Sequence, residues 1–402
     1  MNFLRRVPRR VIQLTCFVGA LVLIWPLLPW AIAPRSFVQA SPFVAFASGI
    51  ATRSIGVGAV FALIVAVVSS FKKRWFCLYL CPTGFLLENT SRTGLRRTRW
   101  WSKCPPIGKY VAILTLAGAV AGYPVLLWMD PLCIFSSPFA LNKATNTISV
   151  ILVCLGLGVL VGATFIFGML WCVRICPLSG LQDLLFSMRK ALWNRWTLSA
   201  SPERFGVARR AFFAGAGGAL LAVWARRVGA ARYSNSDTLL RPPGAVPEDR
   251  FAGLCIRCNN CVHACPSKII HPDTGHEAGL AGFGAPVIQF DRDYNYCLET
   301  CNACTQVCPT GALTPLELRQ KNQYIIGEAL VDNSVCLVPL GKKECDACER
   351  ACPYDAVKIT WDEEQYIAYP VVNDKCIGCG ACEVVCPTTP VKAIRVWTQK
   401  PA

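Results

Sequence analysis

Apolar residues gather into four long runs in the first half of the chain and into short β-branched segments in the second. Arg5, Arg6, Arg9 and Arg10 precede an apolar run over 11–33, and a bilayer core needs about 20 helical residues. Pro26 and Pro29 lie near its far end, where a break in the helix costs least. Further runs cover 55–71, 110–128 and 148–170. The pattern predicts a multi-pass α-helical membrane domain over 1–200 with four spans. The loops 72–109 and 171–210 hold nine and seven Lys or Arg, whereas 34–54 holds only Arg35 and Arg53, and 129–147 only Lys143. The positive-inside rule then puts the N-terminus and both basic loops on the cytoplasmic side.

This half repeats itself. Ser41-Pro42-Phe43 recurs as Ser137-Pro138-Phe139, and Cys77-x3-Cys81-Pro82 recurs as Cys172-x3-Cys176-Pro177. Two parallel two-helix repeats, related about an axis along the membrane normal, bring both cysteine motifs to one face. Cys77, Cys81, Cys172 and Cys176 therefore make a candidate cofactor site; the plain alternative is small residues at helix ends. Cys104 and Cys133 have no partner in sequence, and Cys16 and Cys154 read as packing residues within apolar helices.

Residues 201–232 hold twin arginines, Arg209 and Arg210, ahead of Phe212 and Phe213 and an Ala/Gly-rich run over 211–225. The arrangement is similar to a Tat export signal placed internally, although fifteen helical residues cover only about 22 Å. From residue 233 the composition is that of a soluble domain, with a turn-rich linker at Arg241-Pro242-Pro243-Gly244. Short strands are expected at 287–290 and 356–359, in an α+β domain over 233–402.

Charge sharpens this division. Residues 1–232 carry 26 Lys and Arg against four acids, and 233–402 carry 15 against 20, so the formal +17 splits into +22 and −5. The basic residues alternate with apolar runs on one set of loops, which reads as topology and not as a nucleic-acid surface.

The chemistry lies in the 24 cysteines. Cys255, Cys258, Cys261 and Cys265 follow C-x2-C-x2-C-x3-C-P, and Cys376, Cys379, Cys382 and Cys386 repeat it. Cys297, Cys301, Cys304 and Cys308, and Cys336, Cys345, Cys348 and Cys352, have a stretched first gap, and each group ends in Cys-Pro. Thiols this close in sequence do not favour a disulfide framework, and zinc pairs are usually parted by a longer insert. In such runs three thiolates hold one 4Fe–4S cluster and the fourth crosses to a neighbour. The spacing suggests that group one exchanges its last cysteine with group four, and group two with group three. Four clusters follow, an arrangement that resembles an α+β tandem bacterial-type ferredoxin domain over 233–402, with one further iron–sulfur or metal site in the first half. His263, His271 and His276 are not read as ligands.

The stretch 240–266, L-R-P-P-G-A-V-P-E-D-R-F-A-G-L-C-I-R-C-N-N-C-V-H-A-C-P, with the groups after it, resembles the G component of the periplasmic nitrate reductase system, a Tat-exported four-cluster ferredoxin. It is also similar to the methylamine-utilisation ferredoxin-type proteins. The first half, with two C-x3-C-P motifs, resembles the H component, a membrane quinol dehydrogenase. The chain thus looks like a fusion of the two, without the H component's own cytoplasmic clusters.

The resemblance implies electron transfer from the quinone pool, with quinol as substrate, to a periplasmic redox protein or reductase. It also implies a multi-pass protein of the bacterial inner membrane with a periplasmic ferredoxin domain. Quinol oxidation needs a proton acceptor, and Asp130 is the one acid on the outer side of the first half, hence the catalytic candidate. Two alternatives stay open: a maturation factor that reduces a partner metalloenzyme during assembly, and a structural anchor for a ferredoxin.

Overall fold

The computed structural model describes residues 6–24, 32–54, 56, 58–94, 104–139, 147–196, 206–235, 239–290, 295–341, 345–363 and 366–398. Arg5, Pro26, Pro29 and Lys143 lie outside the described residues. The first half is helical: α1 Arg6–Ile24, α2 Ile32–Gln39, α3 Pro42–Thr52, α4 Gly58–Phe71, α5 Trp75–Tyr79, α6 Pro82–Thr93, α7 Ile107–Val120, α8 Pro131–Ser136, α9 Thr147–Phe167, α10 Pro177–Trp196 and α11 Gly206–Asn235.

These helices correct the expected multi-pass membrane domain. Among the described residues no helix is long and apolar enough to cross a membrane. The run expected to span over 11–33 is helical to Ile24, and a separate helix begins at Ile32. Helices α4 and α7 stop at 14 residues each, about 21 Å of rise against the ~30 Å of a hydrocarbon core. The expected multi-pass location in the inner membrane loses its support with the spans.

Local chemistry explains where several helices begin. Ser41, Cys81 and Asp130 each sit in extended backbone as N-caps, with proline at the first helical position of α3, α6 and α8. Proline's fixed dihedral suits that position and its missing amide is not needed there. The cap side chains accept from backbone amides: Ser41 Oγ from Val44 N at 3.5 Å, Cys81 Sγ from Gly84 N at 3.3 Å and Asp130 Oδ1 from Leu132 N at 2.9 Å. In the second repeat α10 likewise follows Cys176 and starts at Pro177. Helix α6 packs on α9 and α10 on α4, so the helix after each Cys-Pro motif lies against the other repeat.

The Ala/Gly-rich run over 211–225 is the middle of a single 30-residue helix, α11, which packs along α7. Small residues permit the close approach, since a Cβ on Gly218 would stand 2.2 Å from the Leu114 carbonyl oxygen. Arg226, beyond the apolar run, donates to Asp249 at 2.6 and 3.0 Å and to the Ala121 carbonyl at 3.1 Å. This ties α11 to α12 (Glu248–Leu254) and to the turn after α7.

The second half has three two-stranded antiparallel sheets: β1 (Ile270–Pro272) with β2 (Pro286–Ile288), β3 (Glu328–Val331) with β6 (Ile394–Trp397), and β4 (Val357–Asp362) with β5 (Ile367–Val372). The pairing runs Ile270 opposite Ile288, Ala329 opposite Val396 and Val357 opposite Val372. Short helices at Asn260–Ala264, Ala303–Gln306, Ala347–Arg350 and Ala381–Val385 carry cysteines of the four groups.

Two of the apolar clusters among the described residues are large. One joins the halves, with Phe43, Leu127, Leu132 and Phe135 packed in the same cluster as Phe251, Leu254, Cys258 and Leu313. Fully burying side chains of this size contributes about 1.5–3 kcal/mol each. The other core centres on Val262, Ile270, Ile288, Ile326, Val357 and Ile394. The linker is pinned by a buried bidentate pair, Arg241 to Glu248 at 2.5 and 3.0 Å, with both side chains 7% exposed.

Candidate iron–sulfur sites

Sixteen cysteines line four cavities in the second half. The first is lined by Cys255, Cys258, Cys261 and Cys308, the second by Cys265, Cys297, Cys301 and Cys304. The third is lined by Cys352, Cys376, Cys379 and Cys382, the fourth by Cys336, Cys345, Cys348 and Cys386. Each takes three cysteines from one group and the last from another. Group one thus exchanges with group two, and group three with group four, which corrects the pairing suggested by spacing. All four groups end alike in Cys-Pro, so local sequence does not name the partner. Neighbouring groups close shorter loops, and loop closure costs less entropy as the loop shortens.

The residues present fit iron–sulfur clusters. Each cavity offers four thiols against an otherwise largely apolar lining. Among the described residues no three His, Cys, Asp or Glu converge closely enough for a single metal ion. A cube instead takes its thiolates at separate corners. Backbone amides point at the sulfurs, Leu313 N to Cys308 Sγ at 3.3 Å and Ala356 N to Cys352 Sγ at 3.2 Å. Gly378, with φ +72°, lets the third cavity's loop lie on another strand of chain: a Cβ there would stand 2.4 Å from the Gly327 carbonyl oxygen.

Burial pushes most of these thiols up, Cys379 to about 12 and Cys348 to about 11. Cys386 goes the other way. Its burial is outweighed by hydrogen bonds from the Thr388 hydroxyl and from the Thr388, Ala393 and Ile394 amides.

The cavities adjoin in a row. Cys261 of the first feels the charge of Cys304 of the second. Cys297 N of the second donates to Cys379 O of the third at 2.9 Å. Cys382 of the third feels Cys348 of the fourth.

The first cavity abuts the helical half. Cys133 Sγ donates to the Ile256 carbonyl at 2.6 Å, and Asn259 Nδ2 donates to Ser137 Oγ at 2.8 Å. Gln39 Nε2 reaches the Pro309 carbonyl at 2.9 Å. Cys133 therefore buttresses a ligand loop, and neither it nor Cys104 lines a cavity described above.

In the helical half the structure brings Cys77, Cys81, Cys172 and Cys176 together, all within electrostatic reach of one another. Burial raises Cys81 to about 11 and Cys172 to about 12. Gln182 Nε2 donates to Cys77 Sγ at 3.1 Å, with its Oε1 held by Ser69 at 3.2 Å. Arg74, paired with buried Asp183, places a positive charge beside Cys77 and Cys176. Gln182 and the Arg74–Asp183 pair carried no signal in sequence, since nothing local marks them as neighbours of a thiol.

Asp130, the sequence-predicted catalytic residue, is fully buried at the start of α8. Its Oδ2 accepts from Ser41 Oγ at 2.6 Å, so the caps of α3 and α8 hold each other. Burial raises its carboxyl to about 6, against hydrogen bonds from Ser41, Leu132 and Cys133 that lower it. It lies within electrostatic reach of both Cys81 and Cys133.

Comparison with known proteins agrees with this arrangement. A 4Fe–4S dicluster domain matches residues 254–312 and again 343–389, and a 4Fe–4S binding domain matches 55–102 and 150–195. The methylamine utilization ferredoxin-type protein MauM of Methylophilus methylotrophus is 33% identical over 197 residues, covering 46% of this chain and 83% of that protein. The chain belongs to the ferredoxin-type iron–sulfur proteins. The ferredoxin-type protein NapG of Escherichia coli is 39% identical over 38% of this chain and 67% of its own length. NapF of the same organism is 31% identical over 40% and 88%. No solved structure matches. This ferredoxin-type protein is thus an iron–sulfur electron-transfer protein, and its resemblance to the nitrate reductase G component and the methylamine-utilisation proteins holds.

Proposed function

We propose that this ferredoxin-type protein holds four 4Fe–4S clusters in one row and relays electrons along it, from a donor at the helical half to an acceptor at the far end. A cluster with four thiolate ligands supplies one-electron transfer without an open coordination position. The observation that carries the reading is the exchange of the last cysteine between neighbouring groups, which sets three ligands and one crossover ligand around each of four adjoining cavities. The residues' part is to hold the clusters, exclude water and keep them in order. The helical half supports a donor on its side through the Cys133 and Asn259 contacts to the first cavity.

A quinol is the donor that suits this half. Helix α4 exposes Val60, Phe61, Leu63, Ile64, Val67 and Phe71, an apolar face for a lipophilic molecule. The four thiols of the helical half are a candidate fifth site.

Iron and acid-labile sulfide analysis with EPR on the purified protein tests the relay. About sixteen irons per chain supports four clusters, about twenty adds the helical site, and eight or fewer rejects the row. Anaerobic mixing with a soluble quinol tests the donor. Protein reducible by dithionite but not by quinol would reject that part and leave the row standing.

A further inference from the structure

Lys321 ends the short helix Leu318–Lys321 and is completely buried. A buried ammonium is tolerated when its protons meet acceptors and an anion stands nearby. Its Nζ donates to the Leu298 carbonyl at 2.6 Å and to Asn322 Oδ1 at 3.3 Å. Leu298 lines the second cavity next to Cys297, and the ammonium's charge reaches the Cys297 sulfur. Among the described residues no carboxylate forms an ion pair with it. Its charge also reaches Cys304. The anion that Lys321 faces is therefore the thiolate set of the second cavity. Asn322 Oδ1 also accepts from the Tyr354 hydroxyl at 3.1 Å, and Tyr354 lies beside Cys379 and Cys352 of the third cavity. The ammonium thus sits at the seam between the two dicluster modules.

We propose that Lys321 sets the reduction potential of the cluster held by Cys265, Cys297, Cys301 and Cys304, raising it by stabilising the added negative charge of the reduced form. This rests on the four-cluster reading above. A fixed positive charge in a poorly solvated interior acts far more strongly than one at the surface, and hydrogen bonds to cluster sulfurs act in the same direction. Lys321 is a positioning and tuning residue that does not itself exchange electrons.

The test is a redox titration followed by EPR on the full-length, cluster-loaded protein and on its Lys321→Gln and Lys321→Arg variants. In Lys321→Gln the midpoint of one cluster falls by at least tenfold in the one-electron equilibrium, 59 mV, while the others stay in place. Lys321→Arg, which keeps the charge, recovers most of the shift. If Lys321→Gln loses about four irons per chain and Lys321→Arg keeps them, the charge is needed to hold that cluster, which also supports the proposal. An unmoved midpoint in Lys321→Gln overturns it, as does equal cluster loss in both variants. Too few irons in the unaltered protein would instead fail the four-cluster reading, and that analysis is made first.

Discussion

The backbone amide of Cys297 donates to the carbonyl of Cys379 across 2.9 Å, tying a ligand loop of the second cavity to one of the third. The two dicluster modules meet at their ligand loops through this main-chain bond, beside the side-chain link from Lys321 through Asn322 to Tyr354. The fit depends on backbone shape on both sides of the seam.

Gly378→Ala tests that shape. Alanine at φ +72° costs about 1–2 kcal/mol, and its Cβ would crowd the Gly327 carbonyl, with about 1–3 kcal/mol more from overpacking. The thermal midpoint should fall and iron content drop by about one cluster. A variant with unchanged iron and midpoint would show that the loop is not held against Gly327.

The exchange of cysteines gives a second expectation. Cys258 and Cys308 line one cavity, whereas Cys258 and Cys386 line different ones. The double variant Cys258→Ser/Cys308→Ser should lose no more cluster signal than either single change, and Cys258→Ser/Cys386→Ser should lose two clusters. EPR spin counting distinguishes the two, and the reverse result would restore the pairing of group one with group four.

Arg241 and Glu248 are each only 7% exposed and paired at both oxygens. Arg241→Met leaves a buried carboxylate uncompensated, at a cost of about 3–5 kcal/mol. Adding Glu248→Leu should recover much of that loss. Chemical unfolding of the single and double variants measures it; equal losses in both would mean that packing around Arg241, which also lies over the Phe251 ring, matters more than charge.

For Asp130 the pH dependence has a definite sign. Its carboxyl moves from an ordinary 3.8 to about 6 in the folded protein. The folded value is the higher one, so its contribution to stability is fully present below about 3.8 and is lost as pH rises through about 6. The loss amounts to roughly 3 kcal/mol at neutral pH. Asp130→Asn, which can keep the Leu132 and Ser41 contacts, should gain stability relative to the unaltered protein between pH 5 and pH 8. Thermal midpoints of the pair across that range check it, and a constant difference would mean that the carboxyl does not titrate there.

Much of the second half was legible in advance. Strands near 287 and 357 followed from β-branched segments, and the ligand groups from Cys-x2-Cys runs, because both signals lie within a few residues. The long apolar runs of the first half misled. Hydropathy records that a segment is apolar but not where its helix stops, and α4 and α7 stop short of the length a span requires. Nothing local marks Lys321, whose burial and bond to the Leu298 carbonyl place it next to a cluster ligand.

By itself the sequence determined which residues can ligate and in what groups, the repeat that relates Cys77 and Cys81 to Cys172 and Cys176, and the ferredoxin-type relationship. Those follow from spacing, which short covalent connections enforce. Which group lends Cys308 or Cys386 to which cavity, and which cation faces Cys297, was decided only in the tertiary structure. Such contacts join residues with no fixed separation along the chain, and burial and loop closure choose among partners that look alike locally.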